Sequence, residues 1–243
     1  MYNFSMTFYA VGIGPGDSEL MTIQAFRTLE KCPVIFCPKT KNGGETALSI
    51  VKAAGVNLEG KTLIEQELPM SRDFSALKKN YELTAKKCAD FLNQGLDVSF
   101  ITLGDVSFYS TAAQVARIVK ENGFQTAFLP GVTSMSAAAA KIAIPLAERD
   151  EEITVIPADS AFKNGTIRTS LLRNGTKVLI KLAKSYKNVI SLLYELDLAK
   201  NSTVFQNCGL SGERIFCLGD FSENSAEIYE SESYFSLVIV KKK

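Results

Sequence analysis

The sequence predicts an α/β protein with largely parallel strands, because strand and helix patterns alternate along it. Apolar runs of the composition typical of strands alternate with helical patterns from one end of the chain to the other. Such alternation is typical of sheets covered by helices. The chain has 243 residues, 46% of them apolar and 22% charged, so one large or two compact domains can bury a core without disulfides or metals.

The predicted strands cover residues 6–11, 34–37, 97–103, 125–129, 153–156, 177–182, 203–206, 214–217 and 234–240. A helix is predicted at residues 19–29. The clearest helical pattern has apolar residues three or four positions apart and lysines on its other face: Phe74, Leu77, Tyr81, Ala85, Cys88 and Phe91. After residue 129 the predicted strands lie close together in the sequence, near enough to pair as hairpins or in a mixed sheet. We therefore expect an N-terminal α/β domain at residues 1–129 and a C-terminal α/β domain with a mixed sheet at residues 130–243.

Composition excludes several classes of function. The 27 basic and 26 acidic side chains give a net charge of +1, which argues against nucleic acid and membrane surfaces as partners. The sequence contains no histidine, which excludes Ser-His-Asp and Cys-His catalysis and imidazole metal ligands. Its five cysteines form no C-x-x-C pair, so we expect buried thiols and no metal site. Without a signal-like N-terminus or a long apolar run, a cytoplasmic location is expected.

The first candidate motif follows the first predicted strand and reads Gly12-Ile13-Gly14-Pro15-Gly16-Asp17. Its glycines allow a sharp turn and a close approach to a ligand. Asp17 is placed to cap the next helix, and it stands where a dinucleotide-binding fingerprint needs glycine. The motif predicts either a ligand-binding loop or a simple strand-to-helix turn.

Two more motifs follow predicted strands, where ligands bind in open α/β sheets. Asp105, after Leu103 and Gly104, either contacts a polar ligand or caps a helix that begins near Phe108. Gly131 and Thr133 precede a helix of small residues, which either binds a ligand at its N-terminal amides or only packs closely. Lys181 interrupts an apolar strand end and is a candidate for the ligand cleft.

Together these motifs resemble the tetrapyrrole methylase family, whose members methylate precorrins and related rings. The signatures occur in the expected order over nearly the whole chain, at residues 12–22, 103–105, 130–134, 177–182 and 234–236. Within the family the likeness is greatest to the precorrin-2 and cobalt-factor II C20-methyltransferases, and residues 68–73, 104–111, 134–140 and 144–148 carry it. Val106 departs from the pattern, because the family usually has proline there.

The resemblance implies two α/β domains, with the cofactor S-adenosylmethionine in the cleft between them, and a homodimer. It places cofactor contacts, largely through backbone groups, at Pro15, Leu103, Gly104, Asp105, Phe108, Thr133, Ser134, Lys181, Leu182, Cys208 and Gly209, with Ser110 and Thr111 as further candidates. The substrate would meet the loop of Gly12, Gly14 and Gly16. Its carboxylates would pair with Lys39, Arg72 and Lys181.

The expected reaction moves the sulfonium methyl group to C20 of precorrin-2 or cobalt-factor II in cobalamin biosynthesis. Holding two reactants in line supplies about 7–11 kcal/mol of a barrier, so little acid–base assistance is required. Asp105 is a candidate for influencing the cationic cofactor, and Asp17 or Tyr109 for removing the C20 proton.

Other functions stay open at this point. A sister methylase would act on uroporphyrinogen III, a later precorrin, a ribosomal RNA or the diphthamide precursor, although the near-neutral charge argues against RNA. A non-catalytic carrier would bind the ring without turnover, while Asp17 argues against a nicotinamide oxidoreductase. Overall likeness to these C20-methyltransferases favours the cobalt-bound ring as the substrate.

Overall fold

The computed structural model describes residues 6–39, 46–67, 74–223, 225–229 and 234–241. The chain divides into two compact units, Met1–Thr133 and Ser134–Lys243. The expected domains differ from these units by residues 130–133, which lie with the first unit because Gly131 bonds to and packs against its loops. No helix among the described residues is long and apolar enough to span a membrane.

The first unit is built on a parallel sheet. Its described strands are β1 (Thr7–Gly12), β2 (Val34–Lys39), β3 (Thr62–Glu67), β4 (Val98–Thr102) and β5 (Gln125–Leu129), in the order β3-β2-β4-β1-β5. The register pairs Gly12 with Thr102 and Val11 with Leu129, so β1, β4 and β5 end at the same edge. Central β1 is apolar because it is covered on both faces, and Phe8, Ala10 and Val11 are fully buried.

The helices of this unit are α1 (Ile23–Lys31), α2 (Thr46–Ala53), α3 (Phe74–Asn93) and α4 (Thr111–Glu121). From β1 to β3, each strand lies closer than the one before it to one edge of the sheet. From β3 to β5, each strand lies closer to the opposite edge. Because parallel crossovers are right-handed, α1 and α2 cover one face of the sheet, and α3 and α4 cover the other. On the second face Phe36 stacks on Phe100 with ring centroids 6.1 Å apart.

The predicted helix at residues 19–29 is wrong at its start. Asp17 caps only a short 3-10 turn, Ser18–Leu20, by accepting a hydrogen bond from the backbone N–H of Glu19. The chain is then extended through Thr22, whose hydroxyl caps α1 by accepting from the N–H of Ala25 at 3.1 Å. The α-helix therefore begins at Ile23, directly after its cap Thr22.

The second unit has a mixed sheet. Its described strands are β6 (Ile153–Pro157), β7 (Thr176–Ile180), β8 (Ser202–Gln206), β9 (Arg214–Cys217) and β10 (Ser236–Val240), in the order β6-β7-β10-β8-β9. Strands β6 and β7 are parallel, and the other described pairs are antiparallel. The α/β fold class is confirmed.

The described helices of the second unit are α5 (Ser134–Lys141), α6 (Ala158–Lys163), α7 (Ile167–Leu172), α8 (Tyr186–Glu195) and α9 (Ala226–Tyr229). Tyr186 is the largest fully buried side chain of this core. Its hydroxyl donates to the carbonyl of Ile228 at 3.0 Å and accepts from Nε2 of Gln206 at 3.0 Å, so the buried polar group is satisfied.

Candidate active site

Three loops meet at the carboxyl edge of the first sheet. The glycine loop (residues 13–17) follows β1, the Asp105 loop (residues 103–110) follows β4, and the Pro130 loop (residues 130–133) follows β5. Strands β1 and β4 are neighbours, but the chain leaves β1 toward one edge of the sheet, to β2, and leaves β4 toward the other edge, to β5. This reversal makes a topological switch point between β1 and β4. Ligands of open α/β sheets bind at such points. The three predicted motifs are therefore brought together.

The glycine loop and the Asp105 loop are joined through their main chains. The N–H of Gly104 donates to the carbonyl of Gly14 at 2.7 Å, and the N–H of Gly14 donates back to the carbonyl of Gly104 at 3.3 Å. The φ angles of Gly14 and Gly104 are positive, 84° and 69°, which residues with a Cβ rarely adopt. The backbone of the turn itself thus favours glycine at both positions.

Gly12 and Gly131 are required for close packing. A Cβ on Gly131 would lie 2.2 Å from the carbonyl oxygen of Gly104, and one on Gly12 would lie 2.8 Å from both that oxygen and the nitrogen of Gly131. These two glycines make room for neighbouring loops. A Cβ on Gly104, in contrast, would meet only the carbonyl oxygen of Val132 at 4.0 Å, which leaves open space over this residue.

Asp105 clamps the Asp105 loop to the Pro130 loop. Its Oδ2 accepts from the N–H of Gly131 at 2.8 Å, while Oδ1 accepts from the N–H of Ser107 at 2.8 Å and from the Ser107 hydroxyl. Burial acts to raise the pKa of Asp105, but the hydrogen bonds from Ser107 and Gly131 outweigh it and hold this pKa below its usual value. The carboxylate is therefore ionised near neutral pH.

The possibility that Asp105 caps a helix starting near Phe108 is wrong. Helix α4 begins at Thr111, and its cap is Ser110, whose hydroxyl accepts from the N–H of Ala112 at 3.1 Å. The same hydroxyl donates to Oγ1 of Thr102 at 3.2 Å, so the Ser110 side chain is engaged within the protein. Phe108 and Tyr109 project outward, with 42% and 52% of their surfaces exposed.

The remaining predicted residues of the first unit take no part in the bonds between the Asp105 loop and the Pro130 loop that are described above. Pro15 and Gly16 are buried in the glycine loop, and Asp17 is half-buried. Lys39 ends β2, two strands away from β1, and its ammonium lies 2.7 Å from Oε2 of Glu65. Arg72 lies outside the described residues.

The predicted residues of the second unit also share one sheet edge. Strands β7 and β8 both run antiparallel to β10, so Lys181 and Cys208, which follow them, lie at the edge where β10 begins. Lys181 adopts a left-handed φ of 52°, so β7 ends before it, and desolvation lowers the pKa of its ammonium. Leu182 is fully buried and packs in the core of this unit.

The contacts of two further residues, Thr22 and Glu213, were not predicted from the sequence. Thr22 Oγ1 donates to the carbonyl of Pro130 at 3.4 Å, and its capping position before Ile23 was the available signal. Glu213 accepts from the N–H of Gly209 and lies 3.2 Å from Nζ of Lys141. No local sequence pattern marks that carboxylate. Within the described part of the chain, no cluster of acidic and cysteine side chains has the arrangement of a metal site.

Comparison with known proteins shows the family of this chain. Residues 7–221 match the family of Tetrapyrrole (Corrin/Porphyrin) Methylases, and the chain therefore belongs to this family. It is 30% identical over 240 residues to the probable cobalt-precorrin-2 C(20)-methyltransferase of Methanocaldococcus jannaschii, covering 96% of this chain and 95% of the relative. The cobalt-precorrin-2 C(20)-methyltransferase of Salmonella typhimurium is 29% identical over 237 residues, with the same coverage of 96% and 95%.

A solved structure shares the fold. The uroporphyrin-III C-methyltransferase of Thermus thermophilus, complexed with S-adenosylhomocysteine, superposes with a TM-score of 0.64 at 19% identity and covers 97% of both chains. The predicted family is confirmed by these findings.

Proposed function

We propose that the chain transfers the methyl group of S-adenosylmethionine to C20 of a precorrin-2-type ring in cobalamin biosynthesis. The observation that carries this proposal is the similarity, over nearly the full length of both partners, to two C20-methyltransferases. Both relatives are named for the cobalt-bound ring, which favours that form as the substrate here. The similarity covers both units, so the proposal concerns the two units together.

The residues at the switch point fit S-adenosylmethionine. Open space lies over Gly104, and the carbonyl oxygen of Val132, an acceptor, borders it. Acceptors suit the hydroxyl and amino donors of the nucleoside, and the ionised Asp105 favours a positively charged ligand nearby. In the second unit Lys181, Leu182, Cys208 and Gly209 stay predictions as cofactor contacts, as do Thr133 and Ser134 beside the Pro130 loop.

Positioning is the main contribution that this chain can make to the reaction. The cofactor supplies an electrophilic methyl group, which leaves its sulfur as a new carbon–carbon bond forms at C20. Both oxygens of Asp105 accept hydrogen bonds, and its lowered pKa makes it a weak base. We therefore assign Asp105 the role of fixing the loops, and keep Asp17 and Tyr109 as the candidates that help to remove the C20 proton.

We further propose a cytoplasmic homodimer that binds no nucleic acid. The net charge of +1 supports the absence of a nucleic-acid partner, because polyanion binding needs a strong basic field. The homodimer follows from the family resemblance. Lys39, Lys181 and Arg72 stay candidates for the substrate carboxylates, and Lys39 would have to exchange its contact with Glu65 to serve in this way.

The decisive experiment is an anaerobic methylation assay. Purified protein and S-adenosylmethionine with a labelled methyl group are offered cobalt-factor II and precorrin-2 separately, and products are read by mass and NMR. One new methyl group at C20, formed faster on the cobalt ring, is the expected result. If neither ring is methylated while the cofactor binds, the C20 assignment is wrong, and uroporphyrinogen III and later precorrins are tested. Ring binding without methylation of any of them would identify a carrier.

A further inference from the structure

The first unit has a cavity of about 390 Å³ beside helix α1, which we call the α1 cavity. Four of its lining residues are polar or charged and stand three or four positions apart on one face of α1: Gln24, Arg27, Thr28 and Lys31. Strand β1 contributes Tyr9, and Asp97 lines the cavity from the position before β4. Of the described residues that line it, none belongs to the three loops of the candidate active site. The α1 cavity is therefore distinct from that site.

Two cations of the α1 cavity form a pair of like charges. Arg27 and Lys31 stand one helical turn apart, and in the described part of the chain neither side chain makes a hydrogen bond or an ion pair. Like charges at this spacing repel each other and destabilise a helix. Lys31 lies in the last turn of α1, where the helix dipole favours a cation, but Arg27 lies a turn earlier. The fold therefore accounts for one cation and not for the pair.

The side chains on this face of α1 suit a phosphate group. The guanidinium of Arg27 is a planar fork that fits two phosphate oxygens, and Lys31 adds a second positive charge. The Thr28 hydroxyl and the Gln24 amide add neutral donors. A phosphate monoester carries a charge of about −1.5 to −2 near neutral pH, which matches two cations.

Asp97 restricts what the rest of the ligand can be. Its Oδ1 accepts from the N–H of Thr7 at 2.8 Å, which holds the carboxylate in place, and no described residue donates to its Oδ2. A carboxylate in the lining repels a second acidic group and accepts hydrogen bonds from hydroxyl groups. The volume of the cavity lies in the range of small-molecule sites, about 300–1,000 Å³, so an organic part fits beside the phosphate.

We propose that the α1 cavity binds a hydroxylated phosphate monoester, with its phosphate on Arg27 and Lys31 and a hydroxyl group on Asp97. Sugar phosphates and nucleoside monophosphates share this chemistry. The ring of half-buried Tyr9 offers an apolar surface to the organic part of either ligand. This is a second binding site, so the proposal goes beyond methyl transfer and does not depend on it.

Calorimetric titration of the whole chain tests the site with three probes: methyl phosphate, ribose 5-phosphate and adenosine 5′-monophosphate. Every titration contains saturating S-adenosylhomocysteine, which keeps the nucleotide out of the cofactor site. Arg27→Gln and Lys31→Gln each remove one cation from the α1 cavity. Lys120→Gln is the matched control, because Lys120 is an exposed lysine in the last turn of α4, as Lys31 is in α1.

The wild type is expected to bind ribose 5-phosphate, and Arg27→Gln and Lys31→Gln to bind it at least about tenfold more weakly, with urea midpoints close to that of the wild type. Lys120→Gln matches the wild type. Methyl phosphate binds more weakly than ribose 5-phosphate, because it has no hydroxyl group for Asp97. Tighter binding of the nucleotide than of ribose 5-phosphate identifies a nucleotide site, and equal or weaker binding identifies a sugar phosphate site.

Three results would overturn the proposal. The first is that the wild type binds none of the probes, and the second is an equal loss of affinity in Lys31→Gln and Lys120→Gln. The third is methyl phosphate binding as tightly as ribose 5-phosphate, which removes the role of Asp97. The methylation assay tests methyl transfer separately, so either proposal can fail while the other stands.

Discussion

Replacing Gly131 with alanine tests whether main-chain packing between the three loops holds the site. The new Cβ would lie 2.2 Å from the carbonyl oxygen of Gly104 and 2.8 Å from the carbonyl carbon of Gly12. The first distance is more than about 1 Å shorter than an ordinary contact, and the atoms that must move are backbone. Overpacking of this kind costs about 1–3 kcal/mol. Separating the loops also breaks the 2.8 Å hydrogen bond from Gly131 to the Asp105 carboxylate, which is worth about 1.5–3 kcal/mol.

The two costs together predict a loss of about 2.5–6 kcal/mol in the free energy of unfolding of the first unit. They also predict loss of S-adenosylmethionine binding. Urea unfolding and calorimetric titration measure the two effects. Gly123→Ala is the control, since Gly123 has a φ of 91° but no atom within 4 Å of the place that a Cβ would take, so about 1–2 kcal/mol is expected from strain alone. If Gly131→Ala costs no more than Gly123→Ala and still binds cofactor, the packing argument is refuted.

Three further predictions concern single side chains. Asp105→Asn should destabilise the protein by about 1–3 kcal/mol at neutral pH. Because the pKa of Asp105 is lowered in the folded protein, the difference in stability between wild type and variant should shrink as pH falls below about 4. A difference in urea unfolding that stays constant from pH 7 to 3 would contradict this. Thr22→Ala should cost about 1 kcal/mol and Asp17→Ala less, since Thr22 caps α1; equal thermal unfolding midpoints would argue against this helix start. A thiol reagent should label exposed Cys217 in the native protein and reach Cys88 only on unfolding, because burial raises the pKa of Cys88; equal labelling rates would disprove this.

Strongly apolar strands could be predicted from the sequence because burial leaves a clear pattern. The β5 and β9 boundaries were predicted as found, and β1 and β2 within two residues. Strand β3 was missed, since it lies at the sheet edge, reads Thr-Leu-Ile-Glu-Gln-Glu and is largely exposed. An edge strand needs no continuous apolar run, so its sequence resembles a loop.

Helix starts were harder to predict than strands, because several residues of the chain are able to cap. Asp17 and Thr22 both satisfy the local rule, and so do Asp105 and Ser110, yet only Thr22 and Ser110 begin α-helices. The choice depends on distant contacts. The Asp105 carboxylate accepts a hydrogen bond from the N–H of Gly131, a partner that no local pattern identifies. The candidate motifs could be found from the sequence, whereas the roles of their side chains required tertiary structure.

The mutual main-chain bonds between Gly14 and Gly104 have a consequence for how new substrate preferences can arise on this scaffold. Bonds between peptide groups do not depend on side-chain identity, so this framework of loops tolerates wide sequence change as long as its glycines remain. Exposed positions such as Phe108 are then free to vary without disturbing that framework. A library confined to such positions should leave the bonds between the three loops intact, which makes this loop a practical starting point for engineering.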